Sequence, residues 1–464
     1  MTSNKYKRYL ELREKFPEFE YKGFLKYEQD CSYVFEFHYK VGEGIEFFPT
    51  WKVNMNDHFQ RFTLLPDVSN ILLNLGMAEM ISYWKAFCSP VIKTSAIKLT
   101  REQKTWWIKL FRYGLAEFFH VNGIPQPGAD LLRLKSDRKA AYFADPFQTI
   151  MKDQDDQRVL VPVGGGKDSV VSLEMVKKIG KKPVPFVVNP RKATDQVIKA
   201  AGLKWHQCVT IERKIDPKLL ELNEKGYLNG HTPFSALLAF ASVFVAQMGK
   251  IDTIALSNES SANEATIPGT KINHQYSKSY EFESDFRTYV YKYIDQDIDY
   301  FSLLRPLNEL QIARRFSRHK KHHRVFKSCN VGSKSDIWCC NCSKCLFTYI
   351  MLAPFLEPER LTRIFGADLF KNDTLIKTME ALTGISSEKP FECVGTIKEV
   401  NVALCDVIRR HESAGEQLPA LLAHYKNSET YHHHKEIKIN DVLTEFNKEH
   451  FVRDEYLKVL RKRD

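Results

Sequence analysis

Arg158-Val-Leu-Val-Pro-Val-Gly-Gly-Gly-Lys-Asp-Ser169, running on into Val-Val-Ser-Leu-Glu174, decides how this chain is read. The apolar run Val159 to Val163 has the length and β-branched content of a buried strand. Three glycines end it, and Asp168-Ser169 open a helical pattern with apolar residues at Val170, Val171, Leu173 and Val176. A strand, a tight loop and a helix N-terminus are thus predicted in that order. Glycines let the backbone adopt positive φ and approach a ligand closely. Free N–H groups of the loop and first helical turn then converge on one place, where the helix dipole adds positive potential. Lys167 can add a full charge. Such a turn is a phosphate cradle, and a glycine-rich βα turn that binds nothing is the alternative.

Spacing separates the nucleotide motifs built from these parts. A Walker loop needs Ser or Thr after the lysine, and Asp168 follows Lys167. A dinucleotide fingerprint needs a third glycine where Ser169 stands. The residues resemble instead the pyrophosphatase loop of the PP-loop ATPases, Ser-Gly-Gly-x-Asp-Ser, with Gly164 in place of the first serine. That resemblance implies cleavage of ATP between the α- and β-phosphates. It also places Gly164, Gly165, Gly166 and Ser169 on phosphate oxygens, Lys167 as phosphate charge, and Asp168 at a Mg²⁺–pyrophosphate region.

The chain has 464 residues, room for two or three domains and a large core. Its formal charge of +11 fits anionic ligands as well as nucleic acid. No run approaches eighteen apolar residues, which argues against a membrane span. The charged N-terminus (Lys5, Lys7, Arg8, Glu11, Arg13, Glu14, Lys15) lacks the apolar core of a signal peptide. Five of the ten cysteines fall between Cys329 and Cys345, a pattern of metal ligation in a reducing compartment rather than of disulfides. The expectation is a soluble cytoplasmic protein.

Residues 1–150 read as an N-terminal α+β region. Tyr33 to Tyr39 alternates like a strand, and Ile45 to Val53 can pair with it across Gly42-Glu-Gly44. Helices are predicted over Pro66 to Ala86 and Glu102 to Asn122, with Trp84, Trp106, Trp107, Phe111, Phe118 and Phe119 as core or as a stacking surface. Residues 151–328 alternate strands (158–163, 184–189, 207–213, 252–257, 300–305) with helices (168–180, 194–201, 233–248, 276–294, 308–319). Thr232-Pro233 supplies an N-cap and first-turn signal for the third helix. This alternation predicts an α/β fold, a mostly parallel sheet with helices on both faces, of the PP-loop (adenine nucleotide alpha hydrolase-like) type. Residues 329–464 read as a Cys-rich knuckle followed by a helical C-terminal region.

Ligands in such sheets bind beyond the carboxyl ends of the strands. The loop after the fourth strand, Ser257-Asn-Glu-Ser-Ser-Ala-Asn-Glu264, and the block Asn273-His-Gln-Tyr-Ser-Lys278 therefore face the cradle. Glu259, Glu264, His274 and Lys278 can hold Mg²⁺, position a carboxylate or move a proton, and a solvated polar loop is the alternative. Cys329, Cys339, Cys342 and Cys345, with Cys340 between, form C-x9-C-x2-C-x2-C. Four thiolates at knuckle spacing suit a closed structural Zn²⁺ site, with an iron–sulfur cluster or metal-free thiols as alternatives. Ten of the fourteen residues from Arg314 to Lys327 are basic or histidine, a solvated face, an anion site or an RNA patch. Tyr431-His-His-His-Lys435 is read as a surface loop, and Cys31, Cys88, Cys208, Cys393 and Cys405 as ordinary buried cysteines.

Taken together, Val161 to Ser169, Ser257 to Glu264, Asn273 to Ser279, Trp338-Cys-Cys-Asn-Cys-Ser-Lys-Cys345 and Lys389-Pro-Phe-Glu-Cys-Val-Gly395 resemble the UDP-N-acetylmuramoyl-L-alanyl-L-glutamate epimerases of peptidoglycan synthesis. Met77-Ala-Glu-Met-Ile-Ser-Tyr-Trp84 and Tyr113-Gly-Leu-Ala-Glu-Phe-Phe119 extend the likeness to the N-terminal region. The resemblance implies ATP-dependent inversion of the terminal L-Glu of a UDP-MurNAc-dipeptide, with AMP and pyrophosphate as products. The knuckle spacing also resembles the cyano-deazaguanine synthases, so a PP-loop enzyme adenylating RNA or a deazapurine is the alternative. No separate RNA-binding module is recognisable, which speaks against a nucleic-acid partner. The implied chemistry is coherent. A carboxylate opposes a carbanion at its neighbouring carbon, and linking it to AMP removes that charge and lets the carbonyl delocalise the new one. His274, Glu259, Glu264 and Lys278 are the expected proton-transfer groups.

Overall fold

The computed structural model describes residues 4–30, 32–54, 67–143, 157–267, 270, 272–274 and 276–462. Eleven strands form one mixed sheet: β1 (Glu18–Gln29), β2 (Ser32–Val41), β3 (Ile45–Phe47), β4 (Thr50–Asn54), β5 (Val91–Thr94), β6 (Arg133–Ser136), β7 (Arg158–Pro162), β8 (Lys182–Val188), β9 (Val209–Lys214), β10 (Thr253–Leu256) and β11 (Asp299–Ser302). Their order is β11-β10-β7-β8-β9-β4-β2-β1-β5-β6, with β3 beside β2.

The five strands β11, β10, β7, β8 and β9 are mutually parallel. From β7 the chain moves outward through β8 to β9, then returns to the other side of β7 as β10 and β11. The order reverses between β7 and β10, which makes the crevice beyond their carboxyl ends the switch point where ligands bind. Each face of this half is covered. Val159 and Val161 point into a core with the helices Lys167–Lys178, Lys192–Ala200 and Glu309–Arg318. Leu160 points oppositely, into a core with Phe234–Gly249 and Tyr280–Tyr293. Alternate side chains of one strand feeding two cores explain why these strands read as continuous apolar runs.

Beyond β9 the sheet continues without a break into the N-terminal residues, because β4 pairs antiparallel with β9. The boundary expected near 150 lies outside the described residues. Trp51 and Arg213 face each other in this pairing. Both reach Glu79, on the helix Ser69–Trp84: the guanidinium donates at 2.7 and 2.8 Å and the indole at 3.1 Å. That buried, fully partnered carboxylate fastens the N-terminal helix to the parallel strands. Trp84, Trp107, Phe111, Phe118 and Phe119 are buried, so the aromatic density is core.

Several expectations are corrected. The run Ile45–Val53 is two strands rather than one, interrupted before Thr50, with Pro49 lacking a donor for the ladder. The expected helix 102–122 is two, Arg101–Gly114 and Ala116–Val121. Strands β1, β5 and β6 are additional to the expected elements. Thr232 does not cap the helix after it, because its hydroxyl is taken by Lys85 Nζ at 2.9 Å and the cap position falls on Pro233. His432 to His434 lie in a short helix, Glu429–His434, rather than in a loop. Cys31 and Pro66 lie outside the described residues. No helix among the described residues is long and apolar enough to cross a membrane.

Candidate active site

At the switch point lies a cleft of about 540 Å³. Pro162, Gly164, Gly166, Asp168 and Ser169 line it from the β7 side, and Ser257, Asn258 and Glu259 from the β10 side. The predicted cradle shares this cavity with Ser257, Asn258, Glu259 and Lys278, whereas Glu264 and His274 are not among the residues that line it. Gly165 has φ +86°, and a methyl at Gly166 would stand 2.6 Å from Ser328 Oγ. Backbone conformation at the first and close approach at the second require glycine. At Gly164 an added Cβ would meet nothing within 4 Å, so the position is open to a serine. The loop is held from outside: Arg191 Nη2 donates to Gly164 O at 2.9 Å and Lys327 N to Gly165 O at 2.9 Å. No side chain caps the helix Lys167–Lys178, whose N-cap is Gly166.

The charges of the cleft are only partly those expected. Lys167 is buried, with its amine between Asp168 Oδ1 (2.5 Å) and Glu309 Oε2. Burial opposes its charge, but the two carboxylates outweigh that and raise its pKa. Burial likewise pushes the Asp168 carboxyl up, and Lys167 brings it below the usual range. Glu309 remains raised, by burial and by its carboxylate neighbours. The cations that face the cavity are Arg191, Lys278, Lys327 and Lys344. Of the basic run, Lys327 reaches the cleft. Arg314, Arg315 and Arg318 line a separate cavity near the C-terminus, and His322 is buried against Glu174 at 2.9 Å.

The loop after β10 is positioned by a residue that no sequence motif revealed. Arg305 is fully buried and donates to the carbonyls of Glu259 (2.6 Å) and Lys278, and to the Glu283 carboxylate at 3.0 Å. One guanidinium thus fixes the backbone of two expected site residues. Replacing Arg305 with Met leaves Glu283 buried without its cationic partner, and is expected to cost about 3–5 kcal/mol. Urea unfolding followed by circular dichroism checks this; a midpoint unchanged from wild type refutes it.

Around Lys278 the structure assembles a second group. Lys278 Nζ donates to Cys393 Sγ at 3.1 Å. His274 hydrogen-bonds Cys393 and, through Nδ1, Glu117. Glu117 Oε2 is also 3.3 Å from His231 Nδ1. Lys344 donates to the Cys393 carbonyl. Glu264 pairs with Lys389, whose amine also donates to Gly395 O at 2.9 Å and so shapes the segment that presents Cys393. Gln275 lies outside the described residues. Cys393 is therefore not an ordinary buried cysteine as read from sequence: it is half-buried and flanked by cations. Burial would raise its pKa, but Lys278, the His274 hydrogen bond and Lys344 bring it down to about 6. His274, disfavoured as a cation by burial, is lifted to about 9 by Cys393 and Glu117. A thiolate–imidazolium pair follows between those values. The thiolate band at 240 nm, taken as wild type minus Cys393→Ser, is expected to grow as pH rises through about 6; growth only above pH 8 refutes the arrangement.

Cys329, Cys339, Cys342 and Cys345 converge, their sulfurs all within 4.8 Å of one another. Three separations are 3.9, 3.8 and 3.5 Å. A tetrahedral ion with metal–sulfur bonds of about 2.3 Å has edges of about 3.8 Å, so the four thiols fit zinc. The amides of Gly332 (3.0 Å) and Cys339 (3.4 Å) donate to Cys329 Sγ, which stabilises a thiolate there and fixes its direction. Cys340 points away, to Phe365 O at 3.2 Å.

Comparison with known proteins gives a consistent picture. Family models described as the MurL N-terminal domain and the MurL C-terminal domain match residues 11–303 and 325–436. A UDP-N-acetyl-alpha-D-muramoyl-L-alanyl-L-glutamate epimerase of Salinispora tropica is 39% identical over 301 residues, 64% of each chain, so the match spans just under two thirds of that relative. Proteins of the same name from Micromonospora sp. (36%, 73% of this chain and 74% of the relative) and Xanthomonas oryzae pv. oryzae (33%, 74% and 76%) are similar as well. No solved structure matches.

Proposed function

Since the chain belongs to the MurL family, we propose that it is an ATP-dependent epimerase that inverts the terminal L-Glu of UDP-MurNAc-L-Ala-L-Glu through a carboxyl-adenylate. The observation that carries this reading is the meeting of the triglycine turn with Ser257, Asn258 and Glu259 in one cleft at the switch point. In this reading the glutamate α-carboxylate attacks the α-phosphate of ATP, and pyrophosphate leaves toward the free amides of the Lys167–Lys178 helix and the charges of Lys327 and Arg191. Asp168, ionised at the cleft wall, would hold Mg²⁺, which supplies neutralisation of the phosphate charge. Lys278 and Lys344 stand where the activated carboxyl group would lie, and offset the negative charge that develops on its oxygen when Cα loses a proton. Water then hydrolyses the adenylate to AMP and the inverted acid. The four knuckle cysteines would hold Zn²⁺ as a cross-link outside the reaction. The substrate is small and anionic, and the process belongs to peptidoglycan precursor synthesis.

Incubation with ATP, Mg²⁺ and UDP-MurNAc-L-Ala-L-Glu in D₂O tests the proposal. Pyrophosphate release that depends on the dipeptide, with deuterium at the glutamate Cα, is the expected result. Release only with RNA or a deazapurine would overturn it in favour of a base-modifying adenylating enzyme.

A further inference from the structure

We infer that the thiolate of Cys393 is the base that removes the Cα proton in this reaction, with His274 and Lys278 holding it in place. The inference rests on the epimerase reading above and adds a residue to it. A proton acceptor for Cα must stand one bond beyond the activated carboxyl carbon. Lys278 lines the cleft beside the cradle, and its amine touches Cys393 Sγ at 3.1 Å. Lys344 lines the same cleft and holds the Cys393 carbonyl. The sulfur thus lies behind two lysines that line the cleft in which this reading puts the adenylate.

Glu259 lies on the cleft wall beside the β10 end, and three other groups at the site are committed differently. Lys278 is kept protonated, its burial outweighed by Cys393 and Glu259. His274 is kept protonated by Glu117 and Cys393 and is an acid, not a base, near neutral pH. Glu264 is paired with Lys389. The remaining described thiols outside the knuckle behave in the opposite sense: burial pushes Cys208 up to about 12 and Cys405 up to about 11. A base is most effective when its pKa lies close to the working pH, and Cys393 meets that condition. Cys393 takes the proton and becomes a thiol. The C–H electron pair moves toward the acyl carbon to give an enolate, and the opposite face takes a proton derived from the medium.

Cys393→Ser changes one atom and keeps the branching of the side chain, and its melting curve checks that the fold survives. The variant is expected to lose D-Glu formation, and Cα deuteration of at least one epimer, by about 10³-fold. Its dipeptide-dependent pyrophosphate release should stay within about tenfold of wild type, since adenylation precedes proton removal. Epimerisation retained within tenfold overturns the assignment, as does a parallel loss of pyrophosphate release, which would mark a purely structural thiol. A wild-type enzyme that releases pyrophosphate without exchanging Cα is a failure of the epimerase reading itself, and removes the role of Cys393 with it.

Discussion

Asp168→Ala is expected to lower dipeptide-dependent pyrophosphate release by about 10³-fold, roughly 4 kcal/mol of transition-state stabilisation. Asp168 lines the phosphate end of the cleft, and Lys167 keeps its carboxyl ionised through the neutral range. Removing it deletes the negative charge that would hold the metal ion against the leaving group. The variant should fold, because Lys167 keeps its second partner, Glu309, and the side chain of Asp168 is about one-third exposed. Asp168→Asn preserves the shape without the charge and should be equally impaired. Initial rates of pyrophosphate release check both, and turnover within tenfold of wild type in either variant would remove the cradle from the mechanism.

The second large effect is one of stability. Cys345→Ser is expected to abolish binding of one zinc per chain and to destabilise the protein by about 4 kcal/mol or more, the scale set by loss of a structural metal. Cys345 lies in the first turn of the helix Ser343–Leu352, which is buried from Cys345 to Leu352 and has Cys342 as its N-cap, while Cys329 and Cys339 come from the preceding loops. An ion bound by all four ties those loops to the core. Elemental analysis and thermal unfolding provide the measurement. Wild-type protein that carries no zinc, or a variant that melts with it, refutes the assignment. A visible charge-transfer band would point to iron and sulfur instead.

The cradle, the five parallel strands, their crossover helices and the knuckle were all legible in the sequence. They depend on local signals: runs of β-branched residues, glycines at a required turn, thiols a few residues apart. Family likeness likewise resided in contiguous blocks. What joins those blocks could not be read along the chain. Glu79 meets Arg213 at the β4–β9 seam, Glu117 reaches His274 from the N-terminal region, and Lys278 reaches Cys393 from the other side of the knuckle in sequence. Cys393 carries no local signature of reactivity, because a thiol's character is set by the charges folded around it rather than by its neighbours in sequence. Lys167 shows the converse, a lysine whose motif promises an open phosphate ligand and whose tertiary partners enclose it between two carboxylates. Sequence thus determined the parallel strands, most of their helices and the turn that ends β7, since backbone geometry and burial periodicity are local. Tertiary structure decided which titratable groups meet, since electrostatic environment is a property of distance through space.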